Sequence, residues 1–400
     1  MIYFLVFLLL VYFSYRFDYL GKIKCKYGCY YLMLVSLILI AGLRYRLGVD
    51  TIRYESTFRW LPTLYDLKWA DFKYANYDPL YLLFSCIVKT LFSEFWMMQI
   101  CQATLVNIIL FWFVKRNTKN IFFAILIYYV FLYINFTCEV MREACAVSMF
   151  LLSWEYFKKN RWGGYYVLCT LSFLFHSSAI LLFILPVLKW VKFWDMMRVN
   201  RYTILLLLLI LMAGYAIQNI FFDYINILSF TDRIESRVNV YSESSLAGNV
   251  FNVNGILTLV FRYILYPFLA IVFLKRRSNT ERLTIEPMIT LCLIFAILSI
   301  PIAIFYRYNN YFMPFAILAL ADISFSRKIF LTRNKFVNIH SFGFWVLLYI
   351  PMFFFQFYGY FSNVRNTRCK EYMRYYPYNS ILDKERDMDR EALFIFYNAY

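Results

Sequence analysis

Short basic loops cut most of this chain into apolar runs, and that alternation leaves few folds open to it. The runs lie near 1–15, 29–43, 95–114, 120–136, 140–157, 163–176, 177–191, 201–220, 255–274, 286–305, 308–323 and 336–358. A helix crossing a bilayer needs about 20 mostly apolar residues, fewer when it is bundled or kinked. The pattern therefore predicts an all-α fold, a polytopic integral membrane helical bundle of about twelve transmembrane helices. The segment 79–91 is apolar but short and reads as re-entrant or interfacial. A composition 62% hydrophobic and 22% aromatic fits this class and no soluble domain of 400 residues.

Charge gives the threading a direction. Six short loops, at 16–28, 115–119, 158–161, 189–201, 275–282 and 327–335, hold 22 of the 41 Lys and Arg against six inner acids, a net of +16. The remaining nineteen face eighteen acids, a net of +1. This is the positive-inside pattern, so the net charge of +17 points to topology and not to a nucleic-acid partner. Counting 79–91 as a full span would push basic loops outside, which favours the re-entrant reading. One membrane domain over 1–358 is expected, with outer loops at about 44–94 and 221–254 and a polar outer tail over 359–400. Leu393 to Phe396 in that tail reads as a short interfacial helix. No basic stretch precedes the apolar run from Met1 to Tyr15 and no small-residue cleavage site follows it, so it reads as a retained first helix. The nine cysteines form no disulfide or metal framework, and two histidines are too few for a His-based metal site. No metal and no cofactor are expected.

Four polar islands interrupt the apolar runs, and this threading puts them all on the outer side. The first holds Arg44, Tyr45, Arg46, Gly48, Asp50, Arg53 and Tyr54. Its arginines can chelate phosphate oxygens, Asp50 can orient one of them, and Gly48 lets the backbone bend. A juxtamembrane basic loop on lipid headgroups would look similar. The second is Glu139-x-x-Arg142-Glu143, where helical spacing places both acids on one face beside Arg142, as in a salt-bridged helix start or a ligand site. The third is His176 between two apolar runs, a candidate general base or a structural hydrogen-bonding residue. The fourth is Tyr306-Arg307-Tyr308-Asn309-Asn310-Tyr311, an interfacial aromatic belt or a sugar-binding surface, with Arg262 a candidate to join it. Asp387-Met388-Asp389 lies in the polar tail and reads as a solvated charge run.

Taken in order, these islands resemble the EpsG-like branch of the Wzy-type polysaccharide polymerases. Arg44, Gly48, Asp50 and Tyr54 fit its Arg-x-x-x-Gly-x-Asp-x-x-x-Tyr pattern. Arg142 with Ala144 and Ala146 fits its arginine before an Ala-rich helix, and Phe175, His176, Ser178 and Ala179 fit its Phe-His-x-Ser-Ala. Arg307 among tyrosines and Tyr376-Pro377-Tyr378 fit its later elements. The resemblance spans about residues 30–380; Glu143 departs from it by standing where a neutral residue such as Gln is more usual.

The resemblance implies a multi-pass bacterial inner (cytoplasmic) membrane protein in O-antigen, capsule or exopolysaccharide biosynthesis. Its relatives join oligosaccharide repeat units carried on undecaprenyl pyrophosphate at the outer face, by metal-independent glycosyl transfer. The expected partners are that lipid-linked oligosaccharide, membrane lipid and a chain-length regulator protein. A pyrophosphate leaving group needs cations in the transition state. Arg44, Arg46, Arg53, Arg142 and Arg307 are the candidates for it. His176 is the first candidate base, with Asp50 or Glu143 second. Tyr54, Tyr306, Asn309 and Tyr311 are candidates for stacking on or hydrogen-bonding to sugars. Three other functions fit the same substrates: an O-antigen ligase-like transferase, a polysaccharide-modifying membrane transferase, and a lipid-linked oligosaccharide flippase or transporter.

Overall fold

The computed structural model describes residues 2–74, 77–190, 203–227, 259–274, 282–324, 329–332, 335–337, 342–361, 363 and 369–398. It is helical, apart from a short antiparallel hairpin of Ile329–Thr332 with Lys335–Val337. Among the described residues, Ile2–Tyr19 and Phe95–Asn117 have by themselves the length and hydropathy of a membrane span. Eight further apolar helices of 10–17 residues accompany them. The chain forms two compact units, Met1–Lys189 with Asn363–Tyr400, and Trp190–Ser362.

The first unit is built from α1 (Ile2–Phe13), α2 (Lys26–Gly42), α3 (Val49–Trp60), α4 (Trp69–Tyr74), α5 (Pro79–Leu91), α6 (Phe95–Asn117), α7 (Ile121–Tyr128), α8 (Met141–Lys158), α9 (Trp162–Phe175) and α10 (Leu185–Trp190). The connections of its longer helices, α1, α2, α6, α7, α8 and α9, gather at two ends. One end gathers 43–48, 139–141 and 176. The other gathers the Asp18, Thr118 and Asn160 connections, where the Asp18 carboxylate accepts from Phe123 N–H at 2.8 Å and Lys158 Nζ donates to Asn117 at 3.0 Å. α8 is enclosed along nearly its whole length. Small residues let its neighbour approach closely: Ser172 Oγ of α9 donates to the Ala146 carbonyl at 2.7 Å.

α5 begins and ends against α3. Its Tyr81 ring lies 6.0 Å from Tyr54, and Lys89 Nζ donates to the Phe58, Arg59 and Leu61 carbonyls at the C-terminus of α3. A cation at a helix C-terminus satisfies carbonyls that have no intrahelical partner. Both ends of the segment 79–91 therefore lie against α3.

The polar tail packs on this unit through more than its terminal helix. Ile381 N–H donates to Leu43 O at 2.9 Å, Tyr45 N–H to Asn379 O at 2.8 Å and Gly48 N–H to Arg374 O at 2.9 Å. Arg390 is buried and donates to the Met373 and Pro377 carbonyls at 3.0 and 2.8 Å. Leu393 to Phe396 fall in a helix, Met388–Asn398, which packs against α3.

The second unit contains α11 (Thr203–Ile227), α12 (Tyr266–Leu274), α13 (Arg282–Leu298), α14 (Tyr308–Ser324) and α15 (Phe342–Tyr358). Two expected spans are shorter than the apolar runs suggest. The run 286–305 is interrupted after Leu298, before Pro301, which has no N–H to continue a helix. The run 336–358 opens with a strand, and its helix starts only at Phe342. Most of the 221–254 loop, part of the inner loops and His340 lie outside the described residues.

Candidate functional site

The end of α7 sets the site. Past Tyr128 its turns widen to π-type over Tyr129–Tyr133 and Asn135–Glu139, and Val140 leaves helical geometry at φ −99°, ψ 49°. Wide turns and a helix end release carbonyls, which must find other donors when buried. Three side chains from three elements take three successive carbonyls. Gln102 Nε2 donates to Phe136 O at 3.2 Å, Arg44 to Thr137 O, and Thr51 Oγ1 to Cys138 O at 2.8 Å. Arg44 is 1% exposed and also donates to Ala41 O near the end of α2, so its guanidinium closes two helix ends.

Glu139 stands where α7, α3 and the tail meet. Its buried carboxylate accepts from Val49 and Asp50 N–H at 3.3 and 3.1 Å, capping the start of α3. It also accepts from Arg374 Nη2 at 2.8 Å and Tyr375 O–H at 2.6 Å. Burial alone would raise its pKa; Arg374, the phenol and the two amides outweigh burial and hold it below the usual carboxylate range. Gly48, at φ 85°, makes this approach possible. A Cβ there would sit 2.9 Å from Cys138 Cβ and 3.3 Å from Glu139 Oε1. The expected Glu139/Glu143 face beside Arg142 does not form, because the break at Val140 puts Glu139 outside α8. Glu143 is buried within α8 at 1% exposure.

Arg142, in the first turn of α8, has a different setting. Its Nη1 lies 3.6 Å from the Asp78 carboxylate, and its Nε donates to Tyr54 O–H at 3.4 Å. Its guanidinium carbon is 5.3 Å from the Tyr77 ring centroid and 6.0 Å from that of Tyr54, a cation–π cage. Asp78 is the N-cap of α5, with Pro79 following. The starts of α3, α5 and α8 thus converge, and helix starts carry partial positive charge.

Asp50, in the first turn of α3, is half-buried at this junction. Burial first, then the Glu139 charge, push its pKa up to about 6, against the opposing pull of Arg374, Arg53 and Arg142. Arg53 is exposed one turn further along. Arg46 is held by two acids, Glu391 at 3.1 Å and Glu55 at 3.6 Å.

His176 caps the 3-10 turn Ser177–Ile184: Ser178 N–H donates to its Nδ1 at 3.1 Å, with Ser178 Oγ at 2.7 Å. An amide N–H can only donate, so Nδ1 is unprotonated and the neutral ring carries its proton on Nε2. In that tautomer Nε2 is a donor and not a base. A chain of rings links this corner to the arginine cage: Phe175 to Phe84 at 6.3 Å, Phe84 to Tyr81 at 6.5 Å and Tyr81 to Tyr54 at 6.0 Å.

The fourth island belongs to the second unit. Tyr306 is 39% exposed and meets the Tyr263 hydroxyl at 3.1 Å; Arg307 is half-exposed. Arg262 is buried, 4.9 Å from the Tyr263 ring. Asn309 and Tyr311, expected at a sugar-binding surface, are each 0% exposed inside this unit, because the turn of α14 carrying them faces its helical neighbours.

Sequence reasoning missed Glu139 as a hub, and Asp78, Tyr77, Arg374 and Tyr375 altogether. The one available signal was an acid and a basic-aromatic pair inside the resembling span, where neither apolar packing nor topology requires them. Among the described residues no group of three or more His, Cys, Asp or Glu is placed to hold a metal ion.

A helical membrane protein with buried arginines and acids gathered at the starts of short helices is the class these features define. A family model described as the EpsG family matches residues 27–380, and the chain belongs to that family, which makes it a membrane protein of polysaccharide biosynthesis. The matched stretch includes the first three islands, Arg307 and the tail segment bonded to residues 43–48. No curated protein and no solved structure matches the chain significantly.

Proposed function

We propose that the protein is a polysaccharide polymerase joining undecaprenyl-pyrophosphate-linked repeat units at the outer face of the bacterial cytoplasmic membrane, which it crosses about twelve times. The observation that carries this reading, beside family membership, is the meeting of three helix starts around Arg142, with Asp50 and Arg53 beside it. In the reaction an acceptor sugar hydroxyl attacks the donor's anomeric carbon. Its proton passes to the Asp50 carboxylate, the bond from that carbon to the pyrophosphate oxygen breaks, and the electron pair leaves on the pyrophosphate. Arg142 and Arg53 meet the growing charge, with the α5 and α8 starts adding to the local field. Arg142 can exchange Asp78 for a phosphate, because its contacts to Asp78 and Tyr54 are long.

The other candidates take different parts. Arg44 and Glu139 position the backbone that carries Asp50 and Arg142, and Arg46 ties α3 to the tail. His176 offers an Nε2–H donor to a phosphate or sugar oxygen. Tyr54 and Tyr77 wall the site, while Glu143, enclosed in α8, is not assigned the proton. Arg307 and Tyr306 keep the pyrophosphate and sugar roles that their sequence pattern suggests. Purified protein given lipid-linked repeat units is expected to produce a ladder of chains on a gel, and Arg142→Ala to abolish it while remaining folded. A wild-type ladder from Arg142→Ala would overturn the assignment. Full-length chains transferred to a different acceptor would make the protein a ligase.

A further inference from the structure

The end of α8 remote from Arg142 carries a feature the polymerase reading does not use. A cleft of about 380 Å³ opens there between α6, α8 and α9. Three cations, Arg116, Lys159 and Arg161, line it and are exposed. The one acid in the lining, Glu155, is already neutralised by Arg116 at 3.1 Å and by Lys158 at 2.5 Å, a residue outside the lining. Arg116 also lies 5.7 Å from the Trp112 ring centroid, within cation–π range. The lining is therefore net positive.

The wall changes character along the helices. Leu152 lies seven residues before Lys159 and Leu168 seven after Arg161, so both stand about 10 Å inward from the charged mouth at 1.5 Å per residue. A free anion would use only the mouth. A molecule with a phosphate at one end and an acyl chain beginning about 10 Å away would use both. The 18 residues of α8 span about 27 Å, close to the thickness of a bilayer core. The cleft thus opens toward the leaflet opposite Arg142, where anionic headgroups bind basic pockets between helices.

We propose that this cleft binds the headgroup and upper acyl chain of an anionic phospholipid. It uses only the placement of α8 in the membrane and not the chemistry at Arg142, so its failure would leave that chemistry standing. Gly164 supplies a test that changes no charge. The Tyr156 ring, part of the lining, lies so close to Gly164 that an added Cβ would fall 2.3 Å from Tyr156 Cδ1, whereas a Cβ at Gly163 meets nothing within 4 Å.

The experiment reconstitutes the full chain in phosphatidylcholine nanodiscs containing phosphatidylglycerol or cardiolipin, and counts retained lipids by native mass spectrometry. Wild type is expected to retain the anionic lipid over phosphatidylcholine. Lys159→Gln with Arg161→Gln, which spares the Arg116–Glu155 pair, should weaken retention about thirtyfold. Gly164→Ala should lower it while Gly163→Ala leaves it unchanged. Equal retention of anionic and zwitterionic lipid by wild type would overturn the proposal. So would unchanged retention in the double variant, or in Gly164→Ala. A thermal shift with inorganic phosphate equal to that with phosphatidylglycerol would also overturn it, making the mouth a free-anion site.

Discussion

Arg44 and Arg142 are both basic residues in the family pattern, and they stand in opposite kinds of surroundings. Arg44 is enclosed at the ends of α2 and α7, its two Nη groups turned to the Ala41 and Thr137 main-chain carbonyls. Arg142 sits at the start of α8 among two tyrosine rings and one carboxylate, at distances that leave room for exchange. The first arrangement spends both Nη groups on the protein's own main chain. In the second, the guanidinium is held by groups of the kind that also bind sugars and phosphates. The comparison teaches that a buried arginine is read from what its donors meet, and not from its motif.

The largest effects should come from the enclosed side. Glu139→Ala leaves Arg374 with Glu371 as its carboxylate partner, removes the acceptor of Tyr375 O–H and uncaps α3, and is expected to cost about 2–4 kcal/mol. Arg44→Ala leaves the Ala41 and Thr137 carbonyls unmet and should cost about 2–5 kcal/mol. Both should appear as lost folded yield and a lower Tm in detergent. An Arg44→Ala protein with native Tm but no turnover would erase the distinction, because Arg44 would then reach the ligand.

Next comes Arg142→Ala, with turnover down on the order of 10²–10³-fold and Tm nearly unchanged, measured by chain growth and thermal melts. Arg142→Lys should recover part of the rate, since the charge returns without the planar fork.

Asp50→Asn is expected to lower turnover about 10²-fold and to remove a limb from the pH profile. The raised pKa of Asp50, about 6, means wild-type activity should climb through pH 6 as the carboxylate ionises. A pKa raised by folding contributes stability that is present below the ordinary carboxylate range and lost as pH rises through about 6. At pH 7.5 the Asn variant should therefore melt higher than wild type. A lower melting point would show that the ionised carboxylate holds the site together.

The mildest test concerns His176. His176→Asn keeps an acceptor near Ser178 N–H and an N–H donor, so it should lose about tenfold or less. Complete loss, with normal folding, would return the base role to His176.

Much of the first unit was legible in the sequence, because apolar runs bounded by basic loops dictate where helices lie. The run 79–91 forms a helix of 13 residues, Pro79–Leu91, within the bounds its apolar run suggests. The site was legible only in part. Gly48, Asp50 and Tyr54 share one short stretch, but Arg142 meets Asp78 across 64 residues, and no periodicity links them. Glu139 and Glu143 have helical spacing, and nothing local reveals that the helix breaks at Val140. The tail reads only as polar from its composition; its backbone, pairing with residues 43–48, supplies contacts that side-chain character does not report.

That pairing has a consequence for the order of events during synthesis. Residues 43–50 are made early, yet the Arg374 and Tyr375 side chains that donate to Glu139, and the Arg374 carbonyl that accepts from Gly48 N–H, lie 235 and 236 residues beyond Glu139. A nascent chain that has already threaded its early helices still lacks the strap that fixes Asp50. Such a chain has its arginines in place but Asp50 unanchored, so the geometry of the site is complete only once residues 374 and 375 have been made.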